Sequence, residues 1–416
     1  MKNDKAAFNI RGLYAYSFFW MFLVIMPVII PYYLKLGFSM QQVFLLQVVF
    51  GTSTLLLEVP SGYLADLWGR KNTLVCGALL YALGYAWLYY ARSFIDFLAL
   101  QVILGGAMSL ASGTDLALLY GWINTRSVPE RAASTNIIAN RQLAQVGSES
   151  LAALAGGVLV FWSFQWVLGV QAIMALMPLC VALCLTEAPY ERMGTDHKGN
   201  IRAVYAHIFV KDPFLRLLFF NMMLWSLSTF IAVWTFQKYW QDIGIPLRYF
   251  GVLWAVYNLT VGIVGKRAQK LEARLGSARL IHLLSGLSIT GFLALAGILA
   301  LFPVYVTERA SLIGYVLTAL ALLAGLCFQI SRGITGVTLR EAFNWRIPDR
   351  FRATANSVSS MAFRLGFALL GPLMGWMIDH LGLSVALALM GCFYILVYGV
   401  LSRPLAARLN LNLTNE

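Results

Sequence analysis

The stretch Gly62-Tyr63-Leu64-Ala65-Asp66-Leu67-Trp68-Gly69-Arg70-Lys71 ends one long apolar run and begins another, with about six polar-flanked residues between them. An acid, a glycine and two cations are thereby confined to a tight loop where two apolar runs meet water. Glycine bends the chain sharply without a Cβ penalty. Arg70 and Lys71 hold such a loop on the cytoplasmic side of a bilayer, and Asp66 can accept hydrogen bonds at the amino end of a facing helix. Gly62, Asp66, Gly69, Arg70 and Lys71 are therefore read as one unit rather than as a turn that happens to be charged.

The runs on either side of this loop recur along the chain. Of 416 residues, 60% are hydrophobic and only 12% charged, with a mean hydropathy of +0.72. A soluble domain carries about 25% charge, so the composition indicates an integral membrane protein. Runs of 20 or more apolar residues each cross a hydrocarbon core of about 30 Å as a helix. Twelve spans are expected, near 10–34, 42–65, 72–91, 95–123, 132–160, 164–186, 213–238, 248–270, 278–303, 310–342, 352–379 and 383–403. The first run is long enough to span and is followed by others, so a cleavable leader is not expected. The one long polar segment divides the chain into a six-helix bundle over 1–187, a cytoplasmic linker over 188–212 and a second bundle over 213–416.

The net charge of +13 is not gathered into a nucleic-acid-binding patch. It marks sidedness. With both termini inside, the loops on that side collect 23 of the 31 Lys and Arg residues. The opposite loops hold only Lys35, Arg92, Lys238, Arg248 and Arg309. This asymmetry predicts cytoplasmic termini. The five cysteines all fall in apolar runs without metal-ligand spacing, and the four histidines form no metal or catalytic group. Neither a cofactor nor a metal is expected, and the absence of a Gly-Lys-Ser/Thr phosphate loop leaves ATP drive and enzyme chemistry unsupported.

The two halves repeat a signature. Val128-Pro129-Glu130-Arg131 followed by Asn136 opens the fifth expected span, and Ile347-Pro348-Asp349-Arg350 followed by Asn356 opens the eleventh. With this repeat, the twelve spans and the central linker, the opening stretch resembles the loop between helices 2 and 3 of the major facilitator superfamily. That family's pattern is Gly-x-Leu-Ala-Asp-Arg-x-Gly-Arg-Lys, and Leu67 stands where it usually has a cation. The resemblance implies two pseudo-symmetric six-helix bundles, alternating access, and a gate latch formed by the motif. In the second half, Gly262 to Gly276 stands where the loop should recur, but its acid is missing and Lys266, Arg267, Lys270 and Arg274 dominate. The superfamily's antiporters often carry Gly-Pro-x-x-Gly-Gly in the fifth helix, of which this chain keeps only Gly156-Gly157.

Six charges lie inside the spans: Glu58, Asp115, Glu149, Arg141, Arg332 and Arg364. Each costs about 2.5–3.5 kcal/mol even on the lenient insertion scale, so each needs a partner or a water-filled cavity. Glu58, Asp115, Arg141, Arg332 and Arg364 lie at similar depth, about 12–18 Å in at 1.5 Å per residue. Polar stripes at helical spacing surround them: Arg141, Gln145 and Glu149 on the fifth span, Gln329, Arg332 and Thr335 on the tenth, Asn356, Ser360 and Arg364 on the eleventh. Arg141, Gln145, Arg332, Asn356 and Arg364 are the cavity candidates. Glu149, Glu58 and Asp115 are the proton-coupling candidates, with Glu149 first because no cation shares its depth. Two readings stay open for the pairs Asp115–Arg141 and Glu58–Arg364, as ties between helices or as parts of the transport cycle. For Arg332, the alternatives are an anion contact and a cap on backbone carbonyls.

The Glu58-Val59-Pro60-Ser61-Gly62 lead-in and the Gly113-Thr114-Asp115 segment look like bacterial drug-efflux branches of the superfamily. The expectation is a multi-pass transporter of the inner cell membrane that couples protons to export of a small amphipathic molecule. Its partners are that substrate, protons and the lipid bilayer, with no nucleic acid. Uptake or exchange of a small organic anion is the alternative the arginines support. A transport-inactive receptor would need no buried charged layer.

Overall fold

A computed structural model describes residues 2–125, 131–189, 208, 210, 212–305 and 311–413, and all regular structure among them is helical. The linker expected over 188–212 falls mainly on residues outside this set, as do Val128, Pro129, Glu130 and Arg309. Chain contacts divide the protein into two units. The first comprises Met1–Phe38, Leu45–Gly194 and Pro246–Val256; the second comprises Ser39–Phe44, Thr195–Ile245 and Tyr257–Glu416.

The first unit is built from α1 (Lys2–Trp20), α2 (Ile29–Lys35), most of α3 (Met40–Trp68), α4 (Arg70–Tyr90), α5 (Phe94–Ala111), α6 (Thr114–Asn124), α7 (Arg131–Leu159), α8 (Phe164–Met174) and α9 (Met177–Cys184). Here α1 packs on α7 and α9, and α4 packs on α5 and α8. The second unit holds α10 (Pro213–Asp242), most of α11 (Phe250–Leu275), α12 (Ser277–Tyr305), α13 (Leu312–Ile334), α14 (Arg340–Arg346), α15 (Asp349–Leu381), α16 (Leu383–Val397) and α17 (Arg403–Leu413). In it, α12 lies between α13 and α16.

Local chemistry fixes several helix starts. Ser93 and Asp96 form a reciprocal capping box at α5, and the Asp212 carboxylate accepts from the Phe214 and Leu215 amides ahead of α10 with Pro213 in its first turn. Each satisfies donors that a helix N-terminus leaves orphaned. Aromatic side chains fill the interiors. Phe97 meets Tyr33 and Phe38 in the first unit; Phe292 stacks on Tyr394 and meets Phe328 edge-on in the second. The outer faces are apolar as well: Leu369 is 76% and Leu56 70% exposed. Apolar exposure on this scale suits a surface that meets lipid rather than water.

Among the described residues, ten helices are long and apolar enough to cross a membrane. The two expected spans outside that set differ for physical reasons. The first is broken: α1 stops at Trp20, a 3₁₀ turn occupies Met26–Val28, and α2 resumes at Ile29. The fifth is the continuous 29-residue α7, whose Arg141, Gln145 and Glu149 stripe lowers its hydropathy. The expected fourth span is also interrupted, between α5 and α6, where Gly113 adopts φ +79°. Two π-helical segments interrupt the second unit, at Thr335–Leu339 and Tyr398–Ser402. At the latter, the Asn221 amide donates to the Leu401 carbonyl at 3.1 Å and the Ser402 hydroxyl to Asn221 Oδ1 at 2.7 Å. These side chains satisfy polar groups that apolar surroundings would leave without partners.

Candidate transport site

Two interrupted spans of the first unit, the first and the fourth, meet at a cavity of about 170 Å³. The break after α1 is held open by side chains that replace lost helical bonds. Tyr81 donates to the Trp20 carbonyl at 2.7 Å, Ser148 donates to the Phe18 carbonyl, and the Ile25 amide reaches Gln171 Oε1 at 3.4 Å. Irregular backbone at membrane depth is tolerated where it is satisfied within the protein or lines a cavity. The break in the fourth span starts a new helix, so Asp115 lies in the first turn of α6 and accepts from the Leu116 amide at 2.7 Å. A carboxylate there meets the positive end of the helix dipole.

Arg141 of α7 donates to Asp115 across this cavity, with its side chain 14% and that of Asp115 11% exposed. Gln145, one turn along α7, accepts from the same guanidinium at 3.5 Å. The formal charges of the pair cancel. Around it the lining is of two kinds. Trp20, Met21, Met108 and Leu116 supply apolar surface, whereas Tyr16, Ser17 and Gln145 supply polar groups. Tyr16 Oη, Ser17 Oγ and Arg141 Nε are buried without a hydrogen-bond partner among the described residues. A buried polar atom without a partner costs about 1–3 kcal/mol, so this wall is poised to bind something that hydrogen-bonds.

The other expected site residues fall elsewhere. Glu149 is half-buried, one turn beyond Gln145 on α7. Glu58 is half-buried on α3, where its carbonyl accepts from Ser61 at 2.9 Å. In the second unit, Arg332 is exposed on the last turns of α13 and Arg364 is half-buried on α15. Asn356 donates to Asn344 at 2.7 Å and to the Arg352 carbonyl at 2.9 Å, tying α15 to α14. Thus Arg141, Gln145 and Asp115 share one cavity, lined by residues of the first unit alone.

The gate motif is more helical than its sequence led us to expect. α3 runs on to Trp68, so the loop is the single residue Gly69, at φ +89°. Gly62 lies inside α3 with open space where a Cβ would be, and the turn belongs to Gly69 alone. Arg70 donates to the Ala117 carbonyl of α6 at 2.7 Å, and the Lys71 amide donates to Glu187 at 2.8 Å. The side chain of Asp66 lies outside the described residues. In the second half, Gly276 makes the equivalent one-residue turn, at φ +81°, between α11 and α12.

Sequence reasoning missed Tyr16, Ser17 and Glu187. The first two sit in an otherwise apolar span, where Ser17 is the only small polar residue between Leu13 and Trp20. Glu187 lies just past the sixth expected span, at the edge of the polar segment, where nothing in the sequence singles it out. The interruptions themselves had a signal, in Ser112-Gly113 and Met26-Pro27 within apolar runs.

A family profile described as Major Facilitator Superfamily matches residues 12–343. Among solved structures, the chain is similar to the nucleoside transporter NupG, at 11% identity and a TM-score of 0.76, over 97% of this chain and 98% of that one. It is also similar to an auto-inhibited POT family peptide transporter, at 13% identity and a TM-score of 0.72, over 99% and 97%. A D-xylose-proton symporter aligns at 14% identity and a TM-score of 0.63, over 94% and 96%. No curated protein sequence matches the chain. Likeness at these identities carries the fold: an all-helical membrane protein of twelve helices in two six-helix bundles.

Proposed function

The chain belongs to the major facilitator superfamily of membrane transporters, and from that premise we propose that it couples protons to the export of a small amphipathic molecule by alternating access. The observation that carries this reading is the mixed lining of the cavity beside Asp115 and Arg141. Its apolar wall of Trp20, Met21 and Met108 suits a lipophilic or aromatic group, and its unpartnered Tyr16, Ser17 and Arg141 Nε suit hydrogen-bonding atoms. Ligand sites of this kind are mostly apolar with a few placed polar groups. Interrupted helices beside the cavity add support, because transporter sites are typically formed by discontinuous spans.

In this reading Arg141, Gln145 and Asp115 belong to the substrate cavity of the first bundle, and Arg332, Asn356 and Arg364 are the second bundle's candidates. Glu149 carries the proton, with Glu58 and Asp115 as the other candidates. Gly69, Arg70, Lys71 and Asp66 form the cytoplasmic gate. The bundles are 1–187 and 213–416, joined by a linker, with both termini in the cytoplasm and the protein in the inner cell membrane. Uptake or exchange of an organic anion is the second reading, favoured by Arg332 and Arg364. Because Arg141 is already neutralised by Asp115, it offers an anion little net attraction.

A thermal-shift screen of purified protein against lipophilic cations and small organic anions tests the choice. Export of the proposed kind predicts stabilisation by lipophilic cations that is lost in Gln145→Ala and kept in Arg332→Ala. Stabilisation by anions that disappears in Arg332→Ala would overturn it in favour of the second reading.

A further inference from the structure

The turn at Gly69 leaves α4 without a cap of its own. A glycine supplies no side chain, and no side-chain cap bond forms from that position. The first amides of a helix need acceptors. One comes from 116 residues away: Glu187 Oε2 accepts from the Lys71 amide at 2.8 Å. The same oxygen would lie 2.7 Å from a Cβ on residue 69. The fit therefore requires glycine twice, for its positive φ and for the space the carboxylate fills.

The carboxylate is held in place from both sides. Leu185–Pro189 follows α9 without regular secondary structure. Thr186 is gripped by Asn9 of α1, whose amide donates to the Thr186 hydroxyl at 2.9 Å and whose oxygen accepts from the Thr186 amide at 2.8 Å. Trp122 of α6 donates to the Thr186 carbonyl at 3.2 Å. Ala188 packs against Gly121 of α6, where a Cβ would stand 2.7 Å from its own. The strap thus bridges α1, α4 and α6, and Arg70 bonds the same α6 at Ala117. Glu187 Oε1 is buried without a partner among the described residues, so the group is committed to this position by its neighbours and does not simply face water.

We propose that Glu187 is a positioning residue of the gate, and that its carboxylate caps α4 and orders the turn carrying Asp66, Gly69, Arg70 and Lys71. The strap lies at the end of the sixth expected span, immediately before the linker. Movement of that end therefore reaches the gate turn through the Glu187 carboxylate and through α6, which both the strap and Arg70 touch. The gating consequence rests on the transport reading above; the cap itself does not.

The experiment is hydrogen exchange by mass spectrometry on the purified full-length protein in detergent, comparing wild type, Glu187→Ala and Glu187→Gln. Loss of a charge-assisted bond to a helix-terminal amide should speed exchange in peptides covering 69–75 about tenfold or more. Glu187→Gln keeps an acceptor oxygen and should restore most of the protection. Peptides within α8, remote from the strap, should not change. Unchanged exchange at 69–75 in Glu187→Ala overturns the cap, and equal acceleration across the first unit overturns it in favour of general loosening. Proteoliposomes loaded with tetraphenylphosphonium report the consequence separately. Glu187→Ala should lower the maximal rate about tenfold with KM within about twofold, because a cap of this kind orders the gate and not the cavity. Faster exchange with an unaltered rate overturns the gating role. A wild type that moves no probe refutes the substrate reading, while exchange alone still decides the cap.

Discussion

Replacing Asp115 by Asn leaves the Arg141 guanidinium inside the cavity wall with no carboxylate. Arg141 Nε already lacks a partner among the described residues, and Gln145 at 3.5 Å is a weak acceptor. Breaking a buried ion pair from one side costs about 3–5 kcal/mol. With 14% and 11% of the two side chains exposed, the lower end applies, so Asp115→Asn should destabilise by about 3 kcal/mol. The reverse change is less damaging. In Arg141→Gln, Asp115 keeps the Leu116 amide and the positive end of α6, which together recover about 1 kcal/mol. The expected loss is about 2 kcal/mol. The double substitution removes both charges and should cost only about 1–2 kcal/mol, well short of the sum of the singles. Equilibrium unfolding of the four proteins in mixed micelles measures the cycle. Losses that add to within about 0.5 kcal/mol, or Arg141→Gln being worse than Asp115→Asn, would refute the argument that helix geometry makes the pair asymmetric.

Tyr16→Phe should separate stability from binding, because it removes a buried hydroxyl without a partner. Stability should rise by about 1 kcal/mol while ligand-induced thermal shifts shrink; ligand shifts that stay unchanged would deny the Tyr16 hydroxyl a part in binding. Glu149→Gln should abolish the dependence of transport on a proton gradient and leave ligand binding intact, and gradient-driven transport that persists in vesicles would move the coupling role to Glu58 or Asp115. Asp66→Asn should slow transport at normal expression, since a gate latch is lost, and an unchanged rate would remove that role.

The fold was legible because lipid imposes a coarse and repetitive requirement. Twenty apolar residues recur, cations gather at alternate loops, and the gate motif marks where two long runs meet, although the turn there is Gly69 alone and not the longer loop expected. The Asp115–Arg141 pair was foreseen, but most features fixed by a distant partner escaped. The break after Trp20 is sustained by Tyr81, Ser148 and Gln171, from three other helices, so periodicity along α1 could not reveal it. Asp115 reads from sequence as a charge stranded in mid-span, whereas Gly113 restarts the helix and places it in a first turn. Hydropathy also misjudges α7: its polar stripe lowers the average, yet the helix continues for 29 residues. The Arg141 and Gln145 positions followed from spacing on that helix. Their donor-rich surroundings at Tyr16 and Ser17 required knowing which face of α1 meets α7.

The π segment at Thr335–Leu339 gives the tenth span an insertion tolerance that an unbroken α-helix lacks. One surplus residue is absorbed locally, and everything downstream is turned by about 100° relative to an uninterrupted helix. Downstream of the segment, Phe343 is buried in the core and Asn344 accepts from Asn356. Deleting one residue from this segment would let an unbroken α-helix carry both side chains to the same faces, with composition and hydropathy almost unchanged. A one-residue gap at this point in an alignment of related chains would therefore mark the exchange of a π turn for an α turn, with the downstream helix faces kept in phase.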